Sequence, residues 1–126
     1  MQPISKILIT GASGFIGSFL VARAWAEGMD VWAAVRPSSS RRYLADPRIH
    51  FIEIDFGSEK KMMQALAAHV AAHGAWHYVI HAAGATKCHR EADFFKINTE
   101  GTALFAQSLL AAGALTGRFV FISSLS

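Results

Sequence analysis

The stretch TGASGFIG, at Thr10–Gly17, decides the fold of this 126-residue chain. The apolar run Lys6–Thr10 (KILIT) precedes it and is typical of a buried strand, whereas Phe15–Glu27 has helical spacing. Glycines spaced three apart between a strand and a helix permit a tight turn, a close backbone approach to a pyrophosphate, and close packing of helix on sheet. The free N–H groups at the helix start also attract phosphate. We therefore predict a phosphate-binding loop, with a glycine-rich turn that binds nothing as the alternative. Its binding residues are Gly11, Ser13, Gly14, Phe15, Ile16 and Gly17.

Short strand patterns alternate with longer helical patterns along the rest of the chain, which is typical of βαβ units and a parallel sheet. Further strands are predicted at Val31–Val35, Ile49–Ile54, His77–His81 and Arg118–Ile122. Helices are predicted from the N-cap Ser58 to about His73, ending at Gly74, and over Glu91–Ala112. Right-handed crossovers place the strands in the order 3-2-1-4-5. The prediction is a single α/β domain over residues 1–126, a Rossmann-type doubly wound parallel sheet with helices on both faces. Its ligand lies at the carboxyl ends of the strands.

Composition excludes several classes of protein. The chain is 52% hydrophobic and 17% charged, so disorder is excluded, and no run of about 20 apolar residues predicts a membrane span. The net charge of +3 comes without a basic stripe interleaved with aromatic residues, so we expect no nucleic-acid partner. A single cysteine, Cys88, excludes an internal disulfide framework. With no signal-peptide pattern, we expect a soluble, cytoplasmic protein.

The histidines and tryptophans receive structural interpretations. His69 and His73 stand one helical turn apart, but no third ligand is placed, so a solvated helix face is favoured over a metal site. No metal is therefore predicted. His81 ends a predicted strand and is expected to make a hydrogen bond in the core. The tryptophans are interpreted as packing residues, namely Trp25, Trp32 and Trp76.

The segment after the second predicted strand bears on the choice of dinucleotide. An NAD site places an acidic residue there to bind the ribose hydroxyls, but this chain has Arg36 followed by PSSSRR. Guanidinium and hydroxyl groups can hold a 2′-phosphate, so Arg36, Ser38 and Arg41 favour NADP(H), with NAD still possible. The alternative is a solvated basic loop. Asp55, after the third strand, is interpreted as the acceptor for the adenine amino group, or else as a turn residue before Gly57.

Together these residues resemble the N-terminal part of an extended short-chain dehydrogenase/reductase of the NAD-dependent epimerase/dehydratase superfamily. Arg36-Pro37-Ser38 is similar to the NADP-dependent dihydroflavonol-reductase branch. The matching motifs are TGASGFIG at Thr10–Gly17, Asp55-Phe56, HAAG at His81–Gly84, Asn98 in KINTEGT, and FVFISS at Phe119–Ser124.

The resemblance implies a role for each motif. Phe56 joins Asp55 among the cofactor-binding residues, and Ala82, Ala83 and Gly84 line the cofactor. Asn98 is expected to hold a structural or proton-relay water. Ser124 is expected to hydrogen-bond the carbonyl or hydroxyl of the substrate, with Ser123 as the alternative.

A tyrosine four residues before a lysine completes the catalytic site of such enzymes. Here the residue four positions after Tyr43 is Pro47, and the residue four positions after Tyr78 is Ala82, so neither tyrosine has the lysine. We therefore expect the N-terminal part of a longer enzyme, truncated before the last strands and the substrate domain and inactive alone. Its function would be to bind NADP(H) for an oxidoreductase of small carbonyl or alcohol substrates. The alternatives are an NAD-dependent nucleotide-sugar epimerase/dehydratase and a non-catalytic NADP(H)-sensing protein. An exposed, apolar edge at the fifth strand is also expected, with a possible homodimer.

Overall fold

A computed structural model of the chain describes residues 4–11, 15–35, 49–82 and 101–122. Its strands are β1 (Lys6–Thr10), β2 (Asp30–Val35), β3 (His50–Glu53), β4 (Trp76–His81) and β5 (Leu115–Phe121). Its helices are α1 (Phe15–Ala26), α2 (Glu59–His73) and α3 (Gly101–Ala111). The first ten residues of the helix predicted over Glu91–Ala112 lie outside the described residues.

The strands form one five-stranded parallel sheet in the order β3-β2-β1-β4-β5. This is the predicted order. It reverses between β1 and β4, where Thr10 is in register with Ala34 on one side and His81 on the other. Because every strand runs the same way, the carboxyl ends of all five meet at one edge of the sheet.

Apolar residues cover both faces of the sheet, because alternate side chains of a strand point to opposite faces. Leu8 of β1 packs with Met62 and Leu66 of α2 and with Phe105 of α3 in one core. Its neighbours Ile7 and Ile9 belong to the other core, which includes Val21 and Ala24 of α1. The prediction of helices on both faces is therefore confirmed.

The ends of α2 follow from local chemistry. Ser58 is extended, and its hydroxyl accepts a hydrogen bond from the Lys61 N–H at 3.3 Å, as expected of an N-cap. At the other end, the Gly74 N–H donates to the carbonyl oxygen of Val70 at 2.9 Å. Both predicted boundaries of this helix are confirmed.

The fifth strand begins earlier than predicted. It starts at Leu115, not Arg118, because Leu115 pairs with Trp76 across an irregularity between Trp76 and Tyr78. Gly117 lies directly against the backbone there, and a Cβ on it would be 1.9 Å from the carbonyl oxygen of His77. Only glycine allows so close an approach of the two strands.

Strand β5 forms an edge of the sheet in the described part of the chain. Val120 and Phe121 are 48% and 41% exposed, and Tyr78 on the neighbouring strand is 38% exposed. The predicted exposed apolar edge is thus confirmed. None of the described helices is long and apolar enough to span a membrane.

Candidate nucleotide-binding site

Three predicted binding segments come together at the carboxyl edge of the sheet. Gly11 directly follows β1, and Ala82 directly follows β4. Asp55 and Phe56 come after β3, with one residue between the end of the strand and Asp55. The segments flank the point where the strand order reverses, which is where open α/β sheets bind ligands. Gly17 lies in α1, as do Phe15 and Ile16, of which the structure describes the backbone only. The remaining predicted residues lie outside the described ranges. These are Ser13, Gly14, Arg36, Ser38, Arg41, Ala83, Gly84, Asn98 and Ser124.

The turn between β1 and α1 has the backbone geometry that the glycine spacing predicts. Gly11 has a φ of 67°, in the left-handed region that favours glycine. Gly17 is buried within the first turns of α1. No acidic residue stands in the first turn of this helix, so nothing there opposes an anion at its N-terminus.

A buried hydrogen-bond network joins the ends of β1 and β4. The Thr10 hydroxyl and the His81 Nδ1 atom are 2.6 Å apart, and both side chains are buried. The Ala82 N–H donates to the Thr10 hydroxyl at 3.1 Å and to the Thr10 carbonyl oxygen at 3.3 Å. The core hydrogen bond predicted for His81 is therefore confirmed. Sequence analysis missed Thr10 as its partner, although a polar residue ending a buried strand was a signal.

The surroundings of His81 keep its ring uncharged. Burial lowers the pKa of His81 from 6.5 to about 4, because desolvation penalises the imidazolium. The ring lies among four phenylalanine side chains, from the turn after β3, from α3 and from β5. They are Phe56, Phe105, Phe119 and Phe121. His81 is thus neutral near pH 7, and its hydrogen bond with Thr10 joins two uncharged groups.

Asp55 forms the turn that was the alternative to its adenine role. Its Oδ1 accepts a hydrogen bond from the Gly57 N–H at 2.9 Å, and its carbonyl oxygen accepts from the Ser58 N–H at 3.2 Å. The side chain is exposed, and Oδ2 makes no hydrogen bond within the described ranges. A carboxylate fixed by one oxygen and open at the other can still accept a bond from a ligand.

The ring of Phe56 packs inward. It is half-buried and lies edge-on to Phe105, with ring centroids 5.2 Å apart, and 5.7 Å from His81. Its role toward the cofactor stays a prediction. Because the ring packs in the core, we expect the backbone of Phe56 to be the part that contacts the cofactor.

The interpretation of His69 as part of a solvated helix face is wrong. His69 is buried, with its ring stacked 3.9 Å from Trp76 and edge-on to Trp32. Its pKa falls to about 4, first because of burial and then because of the charges of His73 and Lys6. Among the described residues no group of three metal-ligating side chains occurs. The packing role is confirmed for Trp32 and Trp76 in one core and for the half-buried Trp25 beside the other.

The sequence profile of the NAD dependent epimerase/dehydratase family matches residues 7–126. The chain belongs to this family. The predicted resemblance to the extended short-chain dehydrogenase/reductases is thereby confirmed, and the Rossmann-type sheet described above agrees with it.

Individual members and structural neighbours agree with that assignment. A ceramide reductase of Caulobacter vibrioides is 30% identical over 120 residues, which are 95% of this chain but 35% of the reductase. A crystal structure of the F189W actinorhodin polyketide ketoreductase with NADPH superposes with a TM-score of 0.80 and 25% identity. That match covers 96% of this chain and 53% of the ketoreductase, so the chain spans about half of that protein. A putative epimerase from Burkholderia cenocepacia J2315 superposes with a TM-score of 0.73 and 25% identity, covering 98% of this chain and 38% of the epimerase.

The family description and one structural neighbour both name a nicotinamide dinucleotide. The epimerase/dehydratase family is NAD dependent, and the ketoreductase structure contains NADPH. Of the three proteins named above, two are reductases by name and the Burkholderia protein is a putative epimerase. The oxidoreductase class expected from the sequence is supported at this level.

Proposed function

We propose that this chain is the NADP(H)-binding portion of an oxidoreductase that interconverts a small carbonyl compound and its alcohol. The proposal rests on the meeting of three predicted binding segments at the carboxyl edge of the sheet, around the point where the strand order reverses. Gly11, at this point, has a φ of 67°. That combination of topology and turn is the one that dinucleotide sites on open α/β sheets require.

The described residues fit a dinucleotide. The left-handed turn at Gly11 and the N-terminus of α1, free of acidic residues, suit a pyrophosphate. Asp55 offers an exposed carboxylate oxygen for the adenine amino group, beside the backbone of Phe56. Ala82 begins the segment, continued by Ala83 and Gly84, that would line the middle of the cofactor. When bound, the nicotinamide would supply hydride transfer to or from the substrate carbon.

The proposed catalytic groups of this chain are Ser124 and Asn98. Ser124 would hydrogen-bond the substrate oxygen and so orient it and stabilise the charge that develops there. Asn98 would hold a water for proton transfer. The proton donor itself would come from a tyrosine–lysine pair beyond this sequence, so we expect no turnover by the chain alone. A cytoplasmic location and a homodimer stay predictions.

NADPH should bind this chain at least about tenfold more tightly than NADH, a difference of about 1.4 kcal/mol. The reason is the guanidinium of Arg36, which would pair with the 2′-phosphate that only NADPH carries. Arg36→Ala should abolish the preference, as measured by titrating both cofactors and following bound-nicotinamide fluorescence.

The matched control is Arg23→Ala. Arg23 also carries one positive charge, but it is exposed near the end of α1 and pairs with Glu27 at 2.9 Å, remote from the carboxyl edge. The control should keep the full preference. Equal affinities of the wild-type chain for both cofactors would contradict the phosphate role.

The second candidate function is that of an NAD-dependent nucleotide-sugar epimerase or dehydratase. The family description and the similarity to the Burkholderia epimerase favour it. Such enzymes more often carry an acidic residue where this chain has Arg36, so an NADH preference in the same titration would select this candidate.

A further inference from the structure

The ring of His81 lies where the elements of the proposed site converge. Its Nδ1 atom is 2.6 Å from the Thr10 hydroxyl at the end of β1. Its own backbone carbonyl accepts from the Ile122 N–H at 3.0 Å, which ties the end of β5 to the end of β4. The ring centroids around it lie 4.9 to 6.1 Å away and belong to Phe56, Phe105, Phe119 and Phe121.

The bond to Thr10 matters because of what else the same hydroxyl does. The Thr10 hydroxyl oxygen accepts a hydrogen bond from the Ala82 N–H at 3.1 Å. This one atom therefore links Thr10, which precedes Gly11, to Ala82, the first residue of the binding segment after β4. A threonine hydroxyl has three staggered orientations, and a second partner at Nδ1 selects one of them. The His81 ring thereby fixes the atom that spaces the two binding segments.

We infer that His81 is a positioning residue for the dinucleotide, which acts through Thr10 to hold the Gly11 turn and the Ala82 segment at a fixed separation. The inference rests on the proposed function. It assigns to His81 no contact with the cofactor or the substrate.

Packing alone would not require a histidine at this place. A ring surrounded by four phenylalanines could itself be phenylalanine, with no polar atom to bury. The imidazole instead buries two polar ring nitrogens, which costs free energy unless they find hydrogen-bond partners. What histidine adds to such a pocket is the Nδ1 atom that meets Thr10.

The test separates the ring from its nitrogen. His81→Phe keeps an aromatic side chain and removes Nδ1, whereas His81→Asn removes the ring and places an amide near the position of Nδ1. Thr10→Val removes this hydrogen bond together with the one from the Ala82 N–H and leaves the ring untouched, so the test stands even if a variant at position 81 does not fold. Thr116→Val is the matched control, because its hydroxyl donates to the Trp76 carbonyl oxygen at 3.4 Å, at the opposite end of β4.

The readouts are the NADPH dissociation constant, from bound-nicotinamide fluorescence, and the unfolding free energy of each apo variant. We expect about a tenfold weaker affinity in His81→Phe and at least that loss in Thr10→Val, which also removes the bond from the Ala82 N–H. The double variant should bind no more weakly than Thr10→Val alone, because the valine has already removed the bond to His81. His81→Asn should bind within about threefold of wild type even where its stability is lower, and Thr116→Val should bind as wild type does.

Two results would overturn the inference. If His81→Phe and Thr10→Val bind NADPH as the wild type does, His81 has no positioning role, although the proposed function stands. If affinity instead follows stability across all variants, with His81→Asn the weakest binder, the ring acts by packing only. A wild-type chain that binds neither NADPH nor NADH would overturn the proposed function, and this inference with it.

Discussion

Lowering the pH from about 7.5 to about 5 should reduce the free energy of unfolding of this chain by about 4 kcal/mol. His69 and His81 are buried, and burial lowers the pKa of each from 6.5 to about 4. At about pH 7.5, roughly one pH unit above 6.5, both are neutral in the folded chain and largely neutral in the unfolded chain, so they contribute little pH dependence there. Below pH 6.5 the unfolded chain binds protons that the folded chain does not, and stability falls until the folded pKa is reached. Each histidine accounts for about 2 kcal/mol of the loss over this range.

Denaturant unfolding at the two pH values measures the effect, and His69→Phe isolates one half of it. Phenylalanine preserves the stacked contact with Trp76, which has ring centroids 3.9 Å apart, but it does not titrate. The variant should lose about 2 kcal/mol less than the wild type when the pH is lowered. The same acid loss in wild type and variant would show that His69 is accessible to protons in the folded chain.

Gly117→Ala should destabilise the chain by about 3 kcal/mol, at the upper end of what overpacking costs. The added Cβ would stand 1.9 Å from the carbonyl oxygen of His77, which is backbone and cannot rotate away. Strand β5 would have to separate from β4 near the Leu115–Trp76 pair to accommodate it. Thermal or denaturant unfolding measures the loss.

Arg118→Ala is the control for that substitution, since it places the same side chain at the next position of the same strand. Arg118 is exposed, so the change should alter stability by no more than about 0.5 kcal/mol. If the two variants were equally stable, the close approach of Gly117 to His77 would not exist in solution.

Local requirements of the backbone explain why so much of the fold could be predicted from the sequence. A left-handed residue between a strand and a helix demands glycine, which is why Gly11 could be placed before its φ was known. An N-cap serine and a terminal glycine likewise delimit α2 within a few residues of sequence. The strand order followed because right-handed crossovers leave few alternatives.

The errors arose where a residue depends on a distant partner. The start of β5 is set by pairing with Trp76, about 40 residues earlier, and the sequence near Leu115 carries no sign of it. His69 was interpreted from its own helix, but its burial depends on Trp32 and Trp76 of two strands. The bond between Thr10 and His81 was hidden for the same reason, because it requires the register of β1 against β4.

The candidate site likewise has parts that local sequence predicts and parts that depend on distant residues. Its three segments could be located because each follows a strand of a parallel sheet, and parallel strands end at one edge. The turn formed by Asp55 was also foreseeable, since a turn bond to Gly57 needs only two residues of separation. What binds at that edge depends on groups from several segments at once, and a measurement must decide it.

Amide hydrogen exchange of this chain with and without saturating NADPH tests the central claim most directly. The account predicts slower exchange at Gly11, Phe56 and Ala82, at the carboxyl edge of the sheet. Asp30 and Trp76, at the opposite ends of β2 and β4, should exchange as they do in the apo chain. Protection confined to that opposite end, or none anywhere at saturation, would contradict the account.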